Sequence, residues 1–250
     1  DIAVFGDSLS AGNGATNYYG EKGCYTSKNV YALKYKRKLR KKGYKASYRN
    51  LACSGSKTSA ISRQIKKLTR KTRRKIDLVF VSMGANDIYF EDIVKQCFVP
   101  GLKDTFTCEI VINTAFALIG QVKIKMEKKI AQLAKRLPNA RIVLVGYPYL
   151  LDHCPSEGIF SLGGYPSGEQ VRALSLLAHS VASMASRISN LSYRVDYVSL
   201  LDKFKHHEIC GYKNPWIRNY ADTAITAEWF HPNKSGHSFI SRYLVNRLGY

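Results

Sequence analysis

The run Asp77-Leu78-Val79-Phe80-Val81-Ser82-Met83 carries almost no polar alternation. A strand with one wet face alternates apolar and polar residues. A continuous apolar run of this length suits a strand covered on both faces, the central place in a parallel sheet with helices on either side. The rest of the chain supplies the partners such a strand needs. Strands are expected at residues 2–5, 44–51, 141–146 and 193–198. Helices are expected at 29–42 (stopped by Gly43), 58 to about 72, about 114 to 137, 168–190 and 234–248, the last with Gly249 as its C-cap. In the third of these helices Met126, Ile130, Leu133 and Leu137 form an inner stripe with lysines opposite, and Pro138-Asn139 ends it. Five strands alternating with helices predict an α/β fold: a three-layer α/β/α sandwich around a five-stranded, parallel, doubly wound sheet. A chain of 250 residues, 45% hydrophobic, suits a single monomeric domain over residues 1–250.

Composition narrows the classes of function. No uninterrupted apolar run approaches the ~18–20 residues that span a bilayer. The longest, residues 110–119, is broken by Asn113 and Thr114 and reads as a core or cleft helix. The formal net charge is +21, with Lys and Arg concentrated at residues 34–45 and 63–75 on two amphipathic helices. Ala32, Tyr35 and Leu39 face inward in the first, and Ile61, Ile65 and Leu68 in the second. Such faces either are solvated surfaces that keep the protein soluble or attract polyanions, which leaves electrostatic association with an anionic membrane or wall polymer open. No helix-turn-helix, zinc-finger or aromatic RNA-binding motif accompanies the charge, which argues against specific nucleic-acid reading. Six cysteines (Cys24, Cys53, Cys97, Cys108, Cys154 and Cys210) form no CxxC pair and match no zinc template. Their even number and loop-like neighbours favour three disulfides and a secreted, extracellular protein. His206-His207-Glu208 near Cys210 resembles a metal cluster only superficially, so no metal and no cofactor is expected.

In doubly wound sheets, ligands bind beyond the carboxyl ends of the strands. Ser8 follows the first strand, Gly55 the second and the block 84–87 the third, all at one sheet edge. Segments 90–108, 148–166 and 204–226 read as long loops over that edge, able to wall a pocket. Taken singly, Gly-Asp-Ser, a turn glycine and Asn-Asp are ordinary turn and capping chemistry. Taken together, Gly6-Asp7-Ser8-Leu9-Ser10, Asn50-Leu51-Ala52-Cys53-Ser54-Gly55, Gly84-Ala85-Asn86-Asp87 and His231-Pro232-Asn233 resemble the four ordered blocks of the SGNH, or GDSL, hydrolase superfamily. The resemblance spans nearly the whole chain and is strongest toward secreted actinomycete esterases, lipases and phospholipases.

The resemblance implies the flavodoxin-like SGNH fold and a serine esterase or lipase acting through an acyl-enzyme. Ser8 would be the nucleophile and His231 the base. The backbone N–H groups of Ser8 and Gly55 and the side-chain amide of Asn86 would form the oxyanion hole. The superfamily usually places Asp three residues before the histidine; this chain has Glu228 there. Either Glu228 or a nearby main-chain carbonyl would hold the imidazole in the required tautomer. The resemblance also implies disulfides Cys24–Cys53, Cys97–Cys108 and Cys154–Cys210. The expected partner is an acyl-ester substrate, lipid or acylated glycan, with Ile88, Tyr89, Phe90, Phe116, Leu118, Ile119 and Phe160 as candidates for an acyl slot. Two alternatives stand beside this: a carbohydrate O-acetyl esterase of the same fold, with a short cleft lined by residues such as Tyr147 and Tyr149, and a catalytically silent protein that binds cell-surface polyanions. His237 is expected to be structural.

Overall fold

The structure, a computed structural model, describes residues 1–99, 101–150, 168–189, 194–209 and 214–249. Its central sheet is parallel, in the order β4-β1-β5-β6-β7, with β1 at Ile2–Gly6, β4 at Tyr48–Asn50, β5 at Leu78–Ser82, β6 at Arg141–Val145 and β7 at Val195–Val198. A small antiparallel hairpin, β2 (Tyr18–Tyr19) with β3 (Thr26–Ser27), lies outside it. All five residues of β5 are buried, as expected for a strand between two helical layers. On one face α2 (Tyr31–Lys41) packs against α8 (Lys234–Leu248), with Tyr31 and Tyr35 edge-on to Phe80 of β5. On the other, α3 (Ile61–Lys66), α5 (Phe90–Phe98), α6 (Thr105–Arg136) and α7 (Gly168–Ser189) pack around one another. The architecture is the three-layer α/β sandwich.

Chain order reverses across β1: β4 lies on one side of it and β5 on the other. The three segments that leave the carboxyl ends of β1, β4 and β5 are therefore spatial neighbours, and this is the crevice in which such sheets bind ligands.

Several elements differ from their expected bounds. The segment 90–108 is not a loop: it holds α5, and α6 begins at Thr105 rather than near residue 114. Asp104 caps α6 by accepting from the Thr107 N–H at 2.7 Å, and a disulfide between Cys97 and Cys108 joins the two helices. At 32 residues, with mean hydropathy 1.4 over an 18-residue window, α6 is long and apolar enough by composition to cross a membrane. Counting uninterrupted apolar runs passed over it. Its Cys108, Ile112, Ala115, Val122, Met126, Ile130 and Leu133 follow one another at steps of three, four or seven residues, which keeps them on one face, and are buried against the core. The helix expected over 58–72 is broken in two: Thr69 accepts from the Thr72 N–H at 3.1 Å and so starts a separate turn, α4 (Arg70–Arg73). The second strand shortens to Tyr48–Asn50, in parallel register with Ile2–Val4 of β1. Residues 151–167, and with them Cys154, Phe160 and the expected loop 148–166 past residue 150, lie outside the described residues, as does Cys210.

Candidate active site

Ser8 is the first residue of α1 (Ser8–Ala11), a single turn directly after β1. Its position is fixed from below. Gly6 has φ +113°, and a Cβ there would lie 1.9 Å from the Ser82 carbonyl oxygen, so only glycine lets β1 end this close to β5. The Gln64 side chain clasps the same residue twice, accepting from Gly6 N and donating to Gly6 O, each at 2.8 Å. Asp7 caps α1 through the Leu9 N–H at 3.2 Å, and its carboxylate also accepts from Ser82 Oγ at 2.5 Å and from the Tyr147 hydroxyl. Burial pushes the Asp7 carboxyl above the usual range, and those donors oppose the push. Tyr147 in turn accepts from the Ala85 N–H at 3.4 Å, which ties the Ser8 turn to the Asn86 turn.

His231 comes from the far end of the chain. A bridge between Ile217 and Pro232, with Arg218 N donating to His231 O at 2.8 Å, holds its loop. Gly14 lets that loop lie close: a Cβ on it would meet the Pro232 carbonyl oxygen at 2.6 Å. The ring sits between two partners, Nδ1 at 2.7 Å from the Trp229 carbonyl oxygen and Nε2 at 2.7 Å from Ser8 Oγ. A carbonyl only accepts, so Nδ1 carries the proton and Nε2 is left to accept from the serine hydroxyl. Burial pulls the imidazole pKa from 6.5 down to about 4, against the opposing pull of the Trp229 carbonyl and the Glu228 charge. The ring is therefore neutral near pH 7.

Glu228, the other candidate for orienting the ring, is turned elsewhere. It is buried, and its carboxylate accepts from the Tyr18 hydroxyl, which itself accepts from the Gly14 N–H at 3.1 Å. Burial and then Glu228 raise the Tyr18 pKa. This pair joins the β2–β3 hairpin to the histidine loop, while Asn13, just after α1, ties that loop to the Gly55 turn, its amide donating to Ala227 O at 2.7 Å and to Ser54 Oγ at 2.9 Å.

Gly55 follows β4 at φ +71°, exposed, with open space where a Cβ would be. A disulfide between Cys24 and Cys53 and the Ser54 N–H donating to Cys24 O at 3.1 Å hold its turn. Asn86 lies on a short 3-10 turn after β5, and its amide donates to Ser56 O at 3.1 Å, which ties it to the Gly55 turn. Asp87 reinforces that tie by accepting from Thr58 N at 2.8 Å and Thr58 Oγ1 at 2.9 Å. Among the described residues, the N–H groups of Ser8 and Gly55 donate in none of the hydrogen bonds. Three donors at one edge, two of them unused, can receive an oxyanion.

Beside Ser8 and His231 opens a cavity of about 140 Å³ whose walls are almost wholly apolar, among them Ile88, Phe90, Ile93, Leu177, Val181 and Phe230. Of the expected slot residues, Ile88 and Phe90 line it. Tyr89 is instead exposed, and Phe116, Leu118 and Ile119 pack on the core from α6 without reaching the cavity. Leu177 and Val181 of α7 went unrecognised, because a wall built from a distant helix leaves no local signal. His237 is buried. It accepts from Tyr31 N at 3.3 Å through Nδ1 and lies 3.4 Å from Asn13 O through Nε2. His207 stacks on Trp216, and no metal-binding group of His, Cys, Asp and Glu occurs among the described residues.

Comparison with known proteins identifies the family and the fold. Residues 4–239 match the GDSL-like Lipase/Acylhydrolase family. The chain is 27% identical to a lipase of Streptomyces rimosus, over 95% of this chain and 82% of that protein. It is 26% identical to Lipase 1 of Streptomyces coelicolor, over 94% and 81%. Among solved structures, phospholipase A1 of Streptomyces albidoflavus NA297 superposes with TM-score 0.83 at 25% identity, covering 98% of each chain. The extracellular lipase of S. rimosus superposes with TM-score 0.81 at 24% identity, covering 99% and 98%, a likeness of fold. The chain belongs to the GDSL-like lipase/acylhydrolase family and is a serine ester hydrolase.

Proposed function

We propose that this protein is a secreted, single-domain lipase or esterase that cleaves acyl esters through a Ser8–His231 dyad. The observation that carries the reading is the ring of His231, with Nδ1 on the Trp229 carbonyl and Nε2 on Ser8 Oγ, both at 2.7 Å. Ser8 Oγ attacks the ester carbonyl as Nε2 takes its proton. The negative charge that forms on the carbonyl oxygen is received by the N–H of Ser8, the N–H of Gly55 and the amide of Asn86. His231 then returns the proton to the leaving alcohol, and water repeats the sequence on the acyl-enzyme. The Trp229 carbonyl holds the imidazolium that forms at each step, and the nearby charge of Glu228 adds to its stabilisation without touching the ring.

The apolar cavity beside Ser8 favours an acyl chain of several carbons over acetate. Secretion is supported by the two disulfides and by the extracellular relative in S. rimosus. A series of p-nitrophenyl esters from acetyl to dodecanoyl tests the assignment. A rise of kcat/KM with chain length, abolished by Ser8→Ala, is expected. A maximum at acetyl would move the reading to a carbohydrate O-acetyl esterase, and turnover that survives Ser8→Ala would remove the dyad.

A further inference from the structure

Residues 22–76 contain no Asp or Glu and more than half of the chain's 39 Lys and Arg residues, and no acid follows Glu228. The first stretch includes all of α2 and the second all of α8, and these two helices pack side by side on one face of the sheet. Lys34, Arg37 and Lys38 of α2 meet Lys234 and Arg242 of α8 closely enough that, after burial, these like charges weaken the hold of Lys34 on its proton. None of the ion pairs among the described residues involves any of the five. Contrast residues 85–122, around Asn86, α5 and the first half of α6, where acids outnumber lysines. The α2–α8 face is one positive pole of the molecule, beside the basic residues of α3, α4 and the second half of α6.

The pole begins at the catalytic edge. Tyr31, the first residue of α2, shares a hydrogen bond of 2.9 Å with Ser10, two residues from Ser8. Lys34 lies one turn further on, and Lys234 opens α8 three residues after His231. At the same edge Tyr89 is 43% exposed, a side-chain type that suits a boundary between water and lipid.

We propose that the α2–α8 face docks the enzyme on an anionic phospholipid surface, with the Ser8 edge turned toward the lipid. This rests on the reading of the apolar cavity as an acyl site, which favours a lipid over a soluble polyanion as the occupant. A cluster of like charges held together in the free protein is relieved when lipid phosphates approach. Docking by this face also explains why the pole reaches the catalytic edge.

Vesicle co-sedimentation of the full chain carrying Ser8→Ala reads docking without hydrolysis. Vesicles of phosphatidylcholine mixed with phosphatidylglycerol should bind it at about 0.1 M salt and release it at about 1 M, while pure phosphatidylcholine binds weakly throughout. Adding Lys34→Gln, Arg37→Gln, Lys38→Gln and Arg242→Gln should weaken binding by about tenfold or more. A matched set on the exposed side of α6, Lys125→Gln, Lys128→Gln, Lys135→Gln and Arg136→Gln, should weaken it by less than about threefold, although net charge falls equally. With Ser8 restored, the α2–α8 set should hydrolyse a monomeric short-chain ester at the parent rate. Equal loss in both sets would reduce the effect to net charge and overturn the proposal, as would equal binding to neutral vesicles. Tighter binding to duplex DNA, lost in the same α2–α8 set, would assign the face to a soluble polyanion instead. Failure of the parent to cleave any ester would defeat the hydrolase reading alone, since the sedimentation arm uses the Ser8→Ala chain.

Discussion

His231 and His237 lie six residues apart, and burial drives both imidazoles below the ordinary value of 6.5, to about 4 and about 3. Only one of them can act as a base. In His231 a main-chain carbonyl takes the Nδ1 proton, so the lone pair of Nε2 faces the Ser8 hydroxyl. In His237 the Tyr31 N–H occupies the lone pair of Nδ1, which leaves the proton on Nε2, turned toward Asn13 O. The two rings hold opposite tautomers. Burial makes a neutral histidine, but the backbone group beside Nδ1 decides whether it is a base or a strut.

That contrast can be broken most severely at the catalytic pair. Ser8→Ala or His231→Ala should lower kcat/KM for a preferred ester by at least about 10³-fold with the fold intact. A comparable loss from His237→Ala would erase the distinction. Next in size, Asn86→Ala should cost about 10²–10³ in kcat with little change in KM, since it removes one of three oxyanion donors and breaks its tie to Ser56 O. His237→Ala should act on stability instead. It removes two hydrogen bonds and the stacking on Tyr31, and unfolding measured in urea should show a loss of about 2–4 kcal/mol. Its kcat/KM well below the unfolding temperature should stay within about tenfold of the parent. Smallest of all, Glu228→Gln should change turnover by less than about tenfold, because its carboxylate holds Tyr18 and not the ring. A fall of several hundred-fold would show that the charge of Glu228 orients His231 in place of the carbonyl.

Titration sharpens the same comparison. Both folded histidines bind protons more weakly than in the unfolded chain, so unfolding takes up protons below pH 6.5. The cost is absent above that pH and grows as pH falls through about 4 for His231 and about 3 for His237. Chemical unfolding from pH 7 to 4 should therefore show a continuous loss of stability, shallower in His237→Ala. The kcat/KM profile should keep its plateau down to about pH 5 and fall toward the His231 value near 4, not toward 6.5.

Much of the architecture was legible because it is periodic or punctuated. The apolar run at Asp77 to Met83 reads as a covered central strand, and Gly249 marks the end of α8. The alternation of strands and helices then puts Ser8, Gly55 and Asn86 at one edge before any contact is known. What escaped was carried by groups distant in sequence. Segment 90–108, expected as a loop, holds α5, whose Ile93, Val94, Cys97 and Phe98 recur at helical spacing over too short a stretch to stand out. Gln64 clasping Gly6, Tyr147 bridging Asp7 to Ala85, and Tyr18 taking the carboxylate of Glu228 span 58, 140 and 210 residues, and no local pattern announces such bonds. The choice between Glu228 and a carbonyl stayed open for the same reason. Spacing along the chain cannot say which way a carboxylate turns.

The central claim is that Ser8 is made nucleophilic by a histidine held on a backbone carbonyl. Mass spectrometry of the disulfide-intact protein after treatment with a fluorophosphonate measures this most directly. One adduct is predicted, mapped to the peptide containing Ser8, formed at a near-parent rate in Glu228→Gln and His237→Ala and lost in Ser8→Ala and His231→Ala. An adduct on any other residue, or labelling that persists without His231, would contradict it.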